Sequence, residues 1–263
     1  MEINKIYNEN CLDTMSRMPD NFVDLVVTSP PYDDLRTYNG YSFDFENIAK
    51  ELFRVIKVGS VVVWVVGDKR KNGNRTLTHF KQSLYFQSIG FNIHDIMIWN
   101  KTNPMPFLHK DQYVPSFELM IVLSKNKPKT YNLIQEDCKY AGKVLKTYTT
   151  NPESIRKTNI DTPTNAKKIK SNVWNYTVGG FGYNVGHPAP FPESLANDHI
   201  VSWSNPNELV YDPFMGSGTT AKMSIVNQRN YIGSEISQEY CTIAEKRIEE
   251  TKSLLQSKPQ QLF

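Results

Sequence analysis

Short apolar runs alternate along the chain with stretches in which apolar residues recur every three or four positions. In the first half, the runs that predict buried strands are Val23–Thr28, Val61–Val66, Phe91–Trp99 and Phe117–Ser124. The helical stretches between them are Phe45–Ile56, ended by Gly59, and Thr76–Ile89, ended by Gly90. Strands separated by helices predict an α/β fold with a mostly parallel, twisted sheet and helices on both faces.

The pattern changes after Ser124. Up to about Lys170 the chain is basic, polar and without apolar periodicity, and so long an irregular segment in a compact domain is either functional or disordered. Regular alternation returns with the strand Glu208–Asp212, a glycine-rich turn, a helix from about Thr219, the strand Asn230–Ser234 and a helix from Gln238 to Leu255. These segments predict one α/β domain interrupted by an insert.

Charge is distributed unevenly over this pattern. The 263 residues carry a net charge of +3, but the segment from Lys125 to Lys170 holds eleven Lys or Arg against four Asp or Glu. That segment is therefore +7 and the rest of the chain is −4. A basic segment on a mildly acidic body indicates a phosphate-bearing partner, and the competing interpretation is a solvated, lysine-rich loop.

Composition narrows the class of protein. The hydrophobic share of 39% suffices for a sizeable core, no run of about 18 apolar residues exists, and the start, MEINKIYNEN, has no apolar signal region. Three widely spaced cysteines suit neither a disulfide framework nor a zinc site. We expect a soluble cytoplasmic protein without a metal or a membrane segment, and no histidine is assigned a catalytic role.

The stretch ELVYDPFMGSGTTA predicts a strand, a turn and a helix. Gly216, Gly218 and Ala221 match the pattern G-x-G-x-x-G/A of nucleotide-binding turns. The next predicted strand ends at Glu235, 17 residues beyond Gly218, where an acid can bind the two hydroxyls of a ribose. Asp212 lies at the end of the preceding strand, just before the glycines. The alternative is a glycine turn used only for tight packing.

Asp212 helps to select the cofactor. A carboxylate beside the turn would repel a pyrophosphate, whereas it would attract a cationic centre. S-adenosylmethionine carries an adenosine, a sulfonium and an amino acid end. We expect Glu235 to hold its ribose, Asp212 to face its positive end, and the helix N-terminus with the Thr219 and Thr220 hydroxyls to take its carboxylate.

The stretch VDLVVTSPPY predicts a buried strand that ends in a rigid turn. Two prolines constrain the backbone and leave carbonyls without competing local amides. An amino group could donate to the Ser29 hydroxyl and the Pro30 carbonyl, while Tyr32 offers a flat face for stacking. The turn thus suits a planar ring with an exocyclic amine, such as cytosine or adenine. The alternative is a loop that closes a strand beside an ordinary buried tyrosine.

Together the two motifs resemble those of the DNA amino-methyltransferases, which methylate the exocyclic nitrogen of cytosine or adenine. In that family a [D/N/S]-PP-[Y/F/W] motif is catalytic and an F-x-G-x-G motif binds S-adenosylmethionine; here they are Ser29–Tyr32 and Phe214–Gly218. The catalytic motif comes first and the basic segment lies between the two, as in the permuted subgroup called beta. The resemblance covers nearly the whole chain outside the basic segment and implies a Rossmann-like methyltransferase fold.

The resemblance also implies roles for individual residues. The catalytic set is Ser29, Pro30, Pro31 and Tyr32. The cofactor-binding set is Asn10, Asp212, Phe214, Gly216, Ser217, Gly218, Thr219, Thr220, Glu235, His187 and Pro188. Asn10 stands where many relatives have Asp, and the segment GHPAPFPESL is similar to one that walls the methionine end of the cofactor. IMIWNKTNPMP is similar to a strand and loop that shape the pocket for the target base.

The same resemblance divides the chain into three parts. Residues 1–129 would form the catalytic half, residues 130–173 a target-recognition insert, and residues 174–263 the cofactor-binding half. The insert residues expected to contact DNA phosphates are Lys139, Lys143, Lys146, Arg156, Lys157, Lys167, Lys168 and Lys170. Base contacts are expected from Arg156, Asn159 or their neighbours. The segment Asp68–Arg75 is either a loop over the DNA or an exposed hairpin.

The implied reaction is direct methyl transfer to a base that has swung out of duplex DNA. A serine at the first motif position resembles the N4-cytosine enzymes, and adenine N6 is the alternative. Hydrogen bonds to Ser29 and Pro30 would hold the amine in line with the sulfonium methyl, and its proton would leave to water. A restriction–modification setting follows from the family, with a cognate endonuclease as a possible partner and a monomer or homodimer as the assembly.

Three other functions fit the sequence less well. RNA and protein-amide methyltransferases also use an N-PP-Y motif, but they usually place it after the cofactor motif. A non-catalytic DNA-binding or partner subunit would not need intact Ser29, Tyr32, Asp212 and Glu235. A dehydrogenase leaves Asp212 and the proline motif without a role.

Overall fold

The structure of the chain is a computed structural model that describes residues 1–31, 43–104, 111–144, 164–178 and 192–257. It divides into two compact units. The larger unit consists of Met1–Asn132 and Asn172–Phe263, and the smaller unit is Leu133–Ser171. Among the described residues, no helix combines the length and the apolar character that crossing a bilayer requires.

Twelve strands and six helices lie within the described residues. The strands are β1 (Lys5–Tyr7), β2 (Val23–Thr28), β3 (Ile56–Val66), β4 (Arg70–Lys71), β5 (Asn74–Arg75), β6 (Asn92–Lys101), β7 (Phe117–Ser124), β8 (Gln135–Asp137), β9 (Lys167–Ile169), β10 (Val173–Tyr176), β11 (Leu209–Asp212) and β12 (Asn230–Ser234). The helices are α1 (Cys11–Ser16), α2 (Phe45–Val55), α3 (Thr78–Ser88), α4 (Glu193–Trp203), α5 (Thr219–Val226) and α6 (Gln238–Ser257).

Eight strands of the larger unit form one sheet in the order β1-β12-β11-β2-β3-β7-β6-β10. Neighbours pair in parallel except where β7 runs antiparallel to β3 and β6. The expectation of a mostly parallel sheet is therefore confirmed. The order also places β2, β11 and β12 side by side, so the segments that follow these three strands meet at one edge of the sheet.

Both faces of the sheet are covered. Val62, Trp64 and Val66 of β3 join a core cluster that also contains buried residues of α1, α2 and α3. The intervening Val63 and Val65 are equally buried and, because strand side chains alternate, face the other side. On that side α4, α5 and α6 pack in sequence against one another. This two-sided burial explains why the strands are almost continuously apolar.

The predicted strands Val23–Thr28, Phe117–Ser124 and Asn230–Ser234 have the predicted bounds. The predicted start of β3 at Val61 was wrong: α2 ends at Val55, β3 begins at Ile56, and Gly59, expected to end the helix, lies inside β3 with a φ of +84°. The pairing of β2 with β3 jumps there, from Val23 opposite Ile56 to Leu25 opposite Val61. Gly59 thus belongs to an irregularity of the strand, where only glycine adopts this backbone without strain.

The smaller unit is built around the antiparallel pair β8 and β9. Opposite charges face each other across this pair, with Lys167 Nζ 2.6 Å from Asp137 and Lys168 Nζ 2.9 Å from Glu136. The connection beyond β8 continues through a turn in which the Ala141 amide donates to the Cys138 carbonyl. The segment that lacked apolar periodicity in the sequence therefore has its own hydrogen-bonded frame.

Candidate active site

The candidate site lies where β2, β11 and β12 end side by side. Ser29 follows β2, Asp212 is the last residue of β11, and Glu235 follows β12. All three strands are parallel neighbours, so their carboxyl ends point to the same edge. In open α/β sheets this edge is where ligands bind. The fold thus brings together the proline motif and the glycine turn, which are far apart in the sequence.

Asp212 is the centre of a buried hydrogen-bond network. Its Oδ1 accepts the Thr28 hydroxyl at 2.6 Å and the Phe214 amide at 3.0 Å, and its Oδ2 accepts the Thr220 hydroxyl at 2.7 Å. Thr28, Asp212 and Thr220 are each fully buried. One carboxylate therefore ties the end of β2 to the end of β11 and to the first turn of α5.

This geometry corrects the expectation that Asp212 faces the positive end of a ligand. The carboxylate points instead at two threonine hydroxyls and an amide, which satisfy it in the interior. Burial raises the pKa of Asp212 from 3.8 to about 6, against the lowering effect of its three hydrogen bonds. The Thr220 hydroxyl, expected to bind a ligand carboxylate, is directed at Asp212 for the same reason.

The glycine turn requires its glycines. Gly216 and Gly218 have φ angles of +52° and +84°, which residues with a Cβ atom rarely adopt. A Cβ on Gly218 would also lie 2.8 Å from the Ala244 Cβ of α6. Gly218 caps the N-terminus of α5. The glycine turn therefore packs between α5 and α6.

Glu235 closes the other side of the turn. Its Oε2 accepts the Gly216 amide at 2.8 Å and its Oε1 accepts the Ser237 amide at 2.9 Å. The residue is nearly buried, and burial raises the pKa of its carboxyl group. Each carboxylate oxygen can accept more than one hydrogen bond, so both keep capacity for a pair of neighbouring hydroxyls such as those of a ribose.

The segment after β1 runs beside Glu235. β1 pairs with β12, the Glu235 amide donates to the Tyr7 carbonyl, and Asn8 Nδ2 donates to the Glu235 carbonyl at 2.8 Å. Asn10, expected near the cofactor, caps α1 by accepting the Leu12 amide at 2.9 Å. Its amide oxygen thus has a structural role, and its NH₂ group remains a donor at this edge.

The sequence did not predict the hydrogen bonds by which Arg247 holds the glycine turn. Arg247 of α6 donates through Nη1 to the Ser217 carbonyl at 2.5 Å and to its hydroxyl at 2.9 Å. Its Nη2 donates to Glu193 of α4, which also accepts Lys222 of α5. The Ser217 side chain is therefore held by protein atoms. The sequence contains no signal for these contacts, because Ser217 and Glu193 lie 30 and 54 residues from Arg247 along the chain.

The other predicted residues of the turn are placed as follows. Thr219 is buried at the start of α5, and the Phe214 ring lies 5.7 Å from that of Phe43 and 6.2 Å from that of Trp64. Phe214 thus joins the edge of the site to the aromatic core. Ser29 and Pro31 are half-buried and Pro30 is buried. Tyr32, His187 and Pro188 lie outside the described residues.

The predicted DNA-contacting lysines fall into two groups. Lys139 and Lys143 both lie 5.7 Å from the Tyr140 ring centroid, whereas Lys167 and Lys168 pair with acids on the opposite strand. Lys170 is joined to Ile134 through its backbone amide. Lys146, Arg156, Lys157 and Asn159 lie outside the described residues.

The sheet order, the glycine turn and the acid beyond the next strand define a Rossmann-like α/β protein, as expected from the sequence. Solved structures share this fold: a PvuII DNA methyltransferase, titled cytosine-N4-specific, superposes with a TM-score of 0.70 at 18% identity, covering 96% of this chain and 91% of that one. A complex of M1.HpyAVI with SAM gives 0.64 at 21% identity, covering 93% of this chain and 98% of that one.

Sequence comparison narrows this class to a family. The model of the N6_N4_Mtase family, described as DNA methylase, matches residues 23–246. A curated relative from Bacillus amyloliquefaciens, named orphan methyltransferase M.BamHII, is 49% identical over 86% of this chain and 88% of its own length. The chain belongs to the DNA methylase family N6_N4_Mtase, and the expected family of DNA amino-methyltransferases is confirmed.

Proposed function

We propose that this DNA methyltransferase transfers a methyl group from S-adenosylmethionine to the exocyclic N4 of a cytosine flipped out of duplex DNA. The observation that carries the proposal is the juxtaposition of Ser29 and the glycine turn at adjoining strand ends. The buried bond from Thr28 to Asp212 ties these two motifs together at 2.6 Å. Transfer without an enzyme-bound intermediate needs donor and acceptor to be held in register, which this bond favours.

The described residues fit the cofactor. Glu235 retains acceptor capacity for two ribose hydroxyls, and Gly216 has no side chain that would keep a ligand away from the backbone of the turn. When bound, S-adenosylmethionine supplies an electrophilic methyl group on a sulfonium. Ser217 and Arg247 support the turn from behind, and His187 and Pro188 are proposed for the methionine end on the family resemblance alone.

The proline motif is proposed to hold the target amine. The two N–H groups of the target amine would donate to the Ser29 hydroxyl and the Pro30 carbonyl. These hydrogen bonds would draw the amine nitrogen toward tetrahedral geometry and expose its lone pair. Tyr32 would stack on the base, and Pro31 would keep the carbonyl in place. The new N–C bond forms as the C–S bond breaks, and the amine proton leaves to water.

The identity of the methylated base is the most specific part of the proposal. Serine at the first motif position resembles the N4-cytosine enzymes, and this supports cytosine over adenine N6.

The smaller unit, with the lysines and arginines of the basic segment, is proposed to hold the DNA by its phosphates and to read the sequence. We propose DNA modification in a restriction–modification setting, with a cognate endonuclease as a partner.

The test is to identify the methylated nucleoside. The purified protein is incubated with S-adenosylmethionine carrying a deuterated methyl group and with long mixed-sequence duplex DNA, which is then digested and analysed by mass. Labelled N4-methylcytosine is expected, and Ser29→Ala should abolish it while the variant still binds the cofactor. N6-methyladenine would replace the proposed base. Cofactor binding without a labelled DNA nucleoside, but with labelled nucleosides from a parallel incubation with RNA, would overturn the choice of substrate.

A further inference from the structure

The segment that follows β3 is a tight basic hairpin. β4 and β5 pair antiparallel, with Arg70 opposite Arg75 and Lys71 opposite Asn74. Asn72 and Gly73 between them have φ angles of +51° and +77°, as a two-residue hairpin turn requires. The segment Asp68–Arg75 therefore contains a hairpin, and its pairing leaves open whether the hairpin lies over the DNA.

The base of the hairpin is anchored. The Thr76 hydroxyl donates to Asp68 at 2.5 Å, the Lys69 amide donates to the Thr76 hydroxyl at 3.2 Å, and the Thr76 amide donates to the Lys69 carbonyl at 2.9 Å. These bonds fix the direction in which the hairpin leaves the sheet. They also occupy Asp68, which is the one acid between residues 68 and 81.

The charges of the hairpin do not stabilise it. Residues 68 to 81 carry five Lys or Arg and one Asp, a net charge of +4. Like charges directly opposite on paired strands destabilise the pair, and Arg70 faces Arg75. Arg70 is offset by Asp111 at 2.7 Å, but exposed Lys71 and Arg75 form no salt bridge with the residues that the structure describes. A partner that supplies negative charge would account for this arrangement.

The hairpin stands next to the candidate active site. β3 pairs in parallel with β2, and Trp64 lies opposite Thr28, so the segments after both strands leave the same edge of the sheet. A cleft of about 400 Å³ lies between the hairpin and the start of α2. Its lining includes Phe43, Lys69, Lys71 and Lys81. The Phe43 ring in turn contacts Phe214 of the glycine turn.

We propose that the hairpin, with the adjoining lysines of the cleft, is a second DNA-binding surface that contacts backbone phosphates beside the flipped nucleotide. It is separate from the basic segment of the smaller unit and belongs to the larger one. Lysine and arginine bind phosphates irrespective of sequence, so this surface would position the duplex over the active site rather than read it. The inference rests on the proposed function in that the ligand is the substrate DNA.

The salt dependence of DNA binding tests the proposal. Each phosphate contact contributes about 0.9 to the slope of log affinity against log salt concentration. The double variant Lys71→Gln/Arg75→Gln is expected to lower that slope by about two. Between 50 and 200 mM salt, the wild type should then lose roughly tenfold more affinity than the variant. Binding is measured by fluorescence anisotropy on a labelled duplex of about 20 base pairs, without S-adenosylmethionine.

The matched control is Lys50→Gln/Lys246→Gln, which removes two charges from exposed positions on α2 and α6. This control should keep the wild-type slope, and cofactor binding should be unchanged in both variants. An unchanged slope for Lys71→Gln/Arg75→Gln, or an equal fall in the control, would overturn the proposal. Because binding needs no turnover, a protein that shows the expected slopes but methylates nothing would contradict the proposed function and not the hairpin.

Discussion

Thr28 is the residue that connects the two motifs. It is not part of either motif, yet its hydroxyl joins the end of the strand before Ser29 to Asp212, which precedes the glycine turn. Both side chains are fully buried, so this bond has no competition from water. A small displacement between methyl donor and acceptor costs far more in rate than in binding. The role expected of Thr28 is therefore positioning.

Replacing Thr28 by Val should separate rate from binding. Valine keeps the shape but leaves Asp212 without one buried donor, which costs about 1–3 kcal/mol in the free energy of unfolding. We expect kcat to fall by roughly tenfold or more, with less than a threefold change in the Kd for S-adenosylmethionine. Thr28→Ser keeps the hydroxyl and should restore most of kcat. A Val variant with wild-type kcat, or a Ser variant as slow as Val, would contradict the positioning role.

Asp212 should leave a pH signature in stability. Its pKa is raised in the folded state from 3.8 to about 6, so between these values the folded protein binds more protons than the unfolded one. Stability from this group therefore falls as pH rises through that window and is constant above it. Relative to Asp212→Asn, the wild type should lose about 2 kcal/mol in the free energy of unfolding between pH 4.5 and pH 7.5. Urea unfolding of both proteins from pH 4.5 to pH 7.5 measures the difference, and a pH-independent difference would refute the shift.

At the scale of elements, the glycine turn is a close contact between two helices. Gly218 caps α5 and lies against Ala244 of α6, while Arg247 one turn further along α6 holds Ser217. The turn therefore depends on the docking of α6 as much as on its own sequence. Its local pattern predicts the backbone shape, and the helix packing keeps that shape rigid.

Gly218→Ala should lower the free energy of unfolding by more than the positive φ alone would. The φ of +84° disfavours alanine by about 1–2 kcal/mol, and a Cβ 2.8 Å from the Ala244 Cβ adds overpacking of about 1–3 kcal/mol. Gly73→Ala is the matched control, because Gly73 has a φ of +77° and no atom lies within 4 Å of the place its Cβ would take. Equal losses in the free energy of unfolding would show that α6 yields to the added methyl group. Only Gly218→Ala should also weaken cofactor binding.

At the scale of the whole molecule, basic residues occur in both units, but their surroundings differ. Lys139 and Lys143 lie near the Tyr140 ring, and Lys167 and Lys168 form cross-strand ion pairs. Exposed ion pairs contribute little to stability, but a paired lysine must leave its acid to bind a phosphate. We therefore expect the first pair to bind DNA phosphates more readily than the second.

The two pairs of lysines give a matched comparison. Lys139→Gln/Lys143→Gln should lower the salt slope of DNA binding by about two, because two phosphate contacts are lost. Lys167→Gln/Lys168→Gln should lower it by less, since those charges are already offset by Asp137 and Glu136. Anisotropy on the same duplex over a salt series measures both. Slopes that fall equally in the two variants would mean that the ion pairs open on binding.

Much of the architecture could be predicted because its causes are local. Strand and helix follow from residues two to four positions apart, and the glycine turn follows from a pattern six residues long. The bounds of β2, β7 and β12 were predicted in full for this reason. The short elements β1, α1 and β10 were not predicted, because three to six residues carry too little periodicity and depend on pairing with distant strands.

The sequence by itself determined the α/β class, the family and the two motifs, since these depend on residue order and local backbone preference. Tertiary structure decided what each motif faces. Asp212 was expected to meet a ligand, but it accepts the Thr28 hydroxyl from 184 residues away. Gly59 was expected to end a helix, but it serves an irregular strand. The physical reason is that a buried polar group takes whichever donor the fold brings within about 3 Å, and only the packed chain specifies that donor.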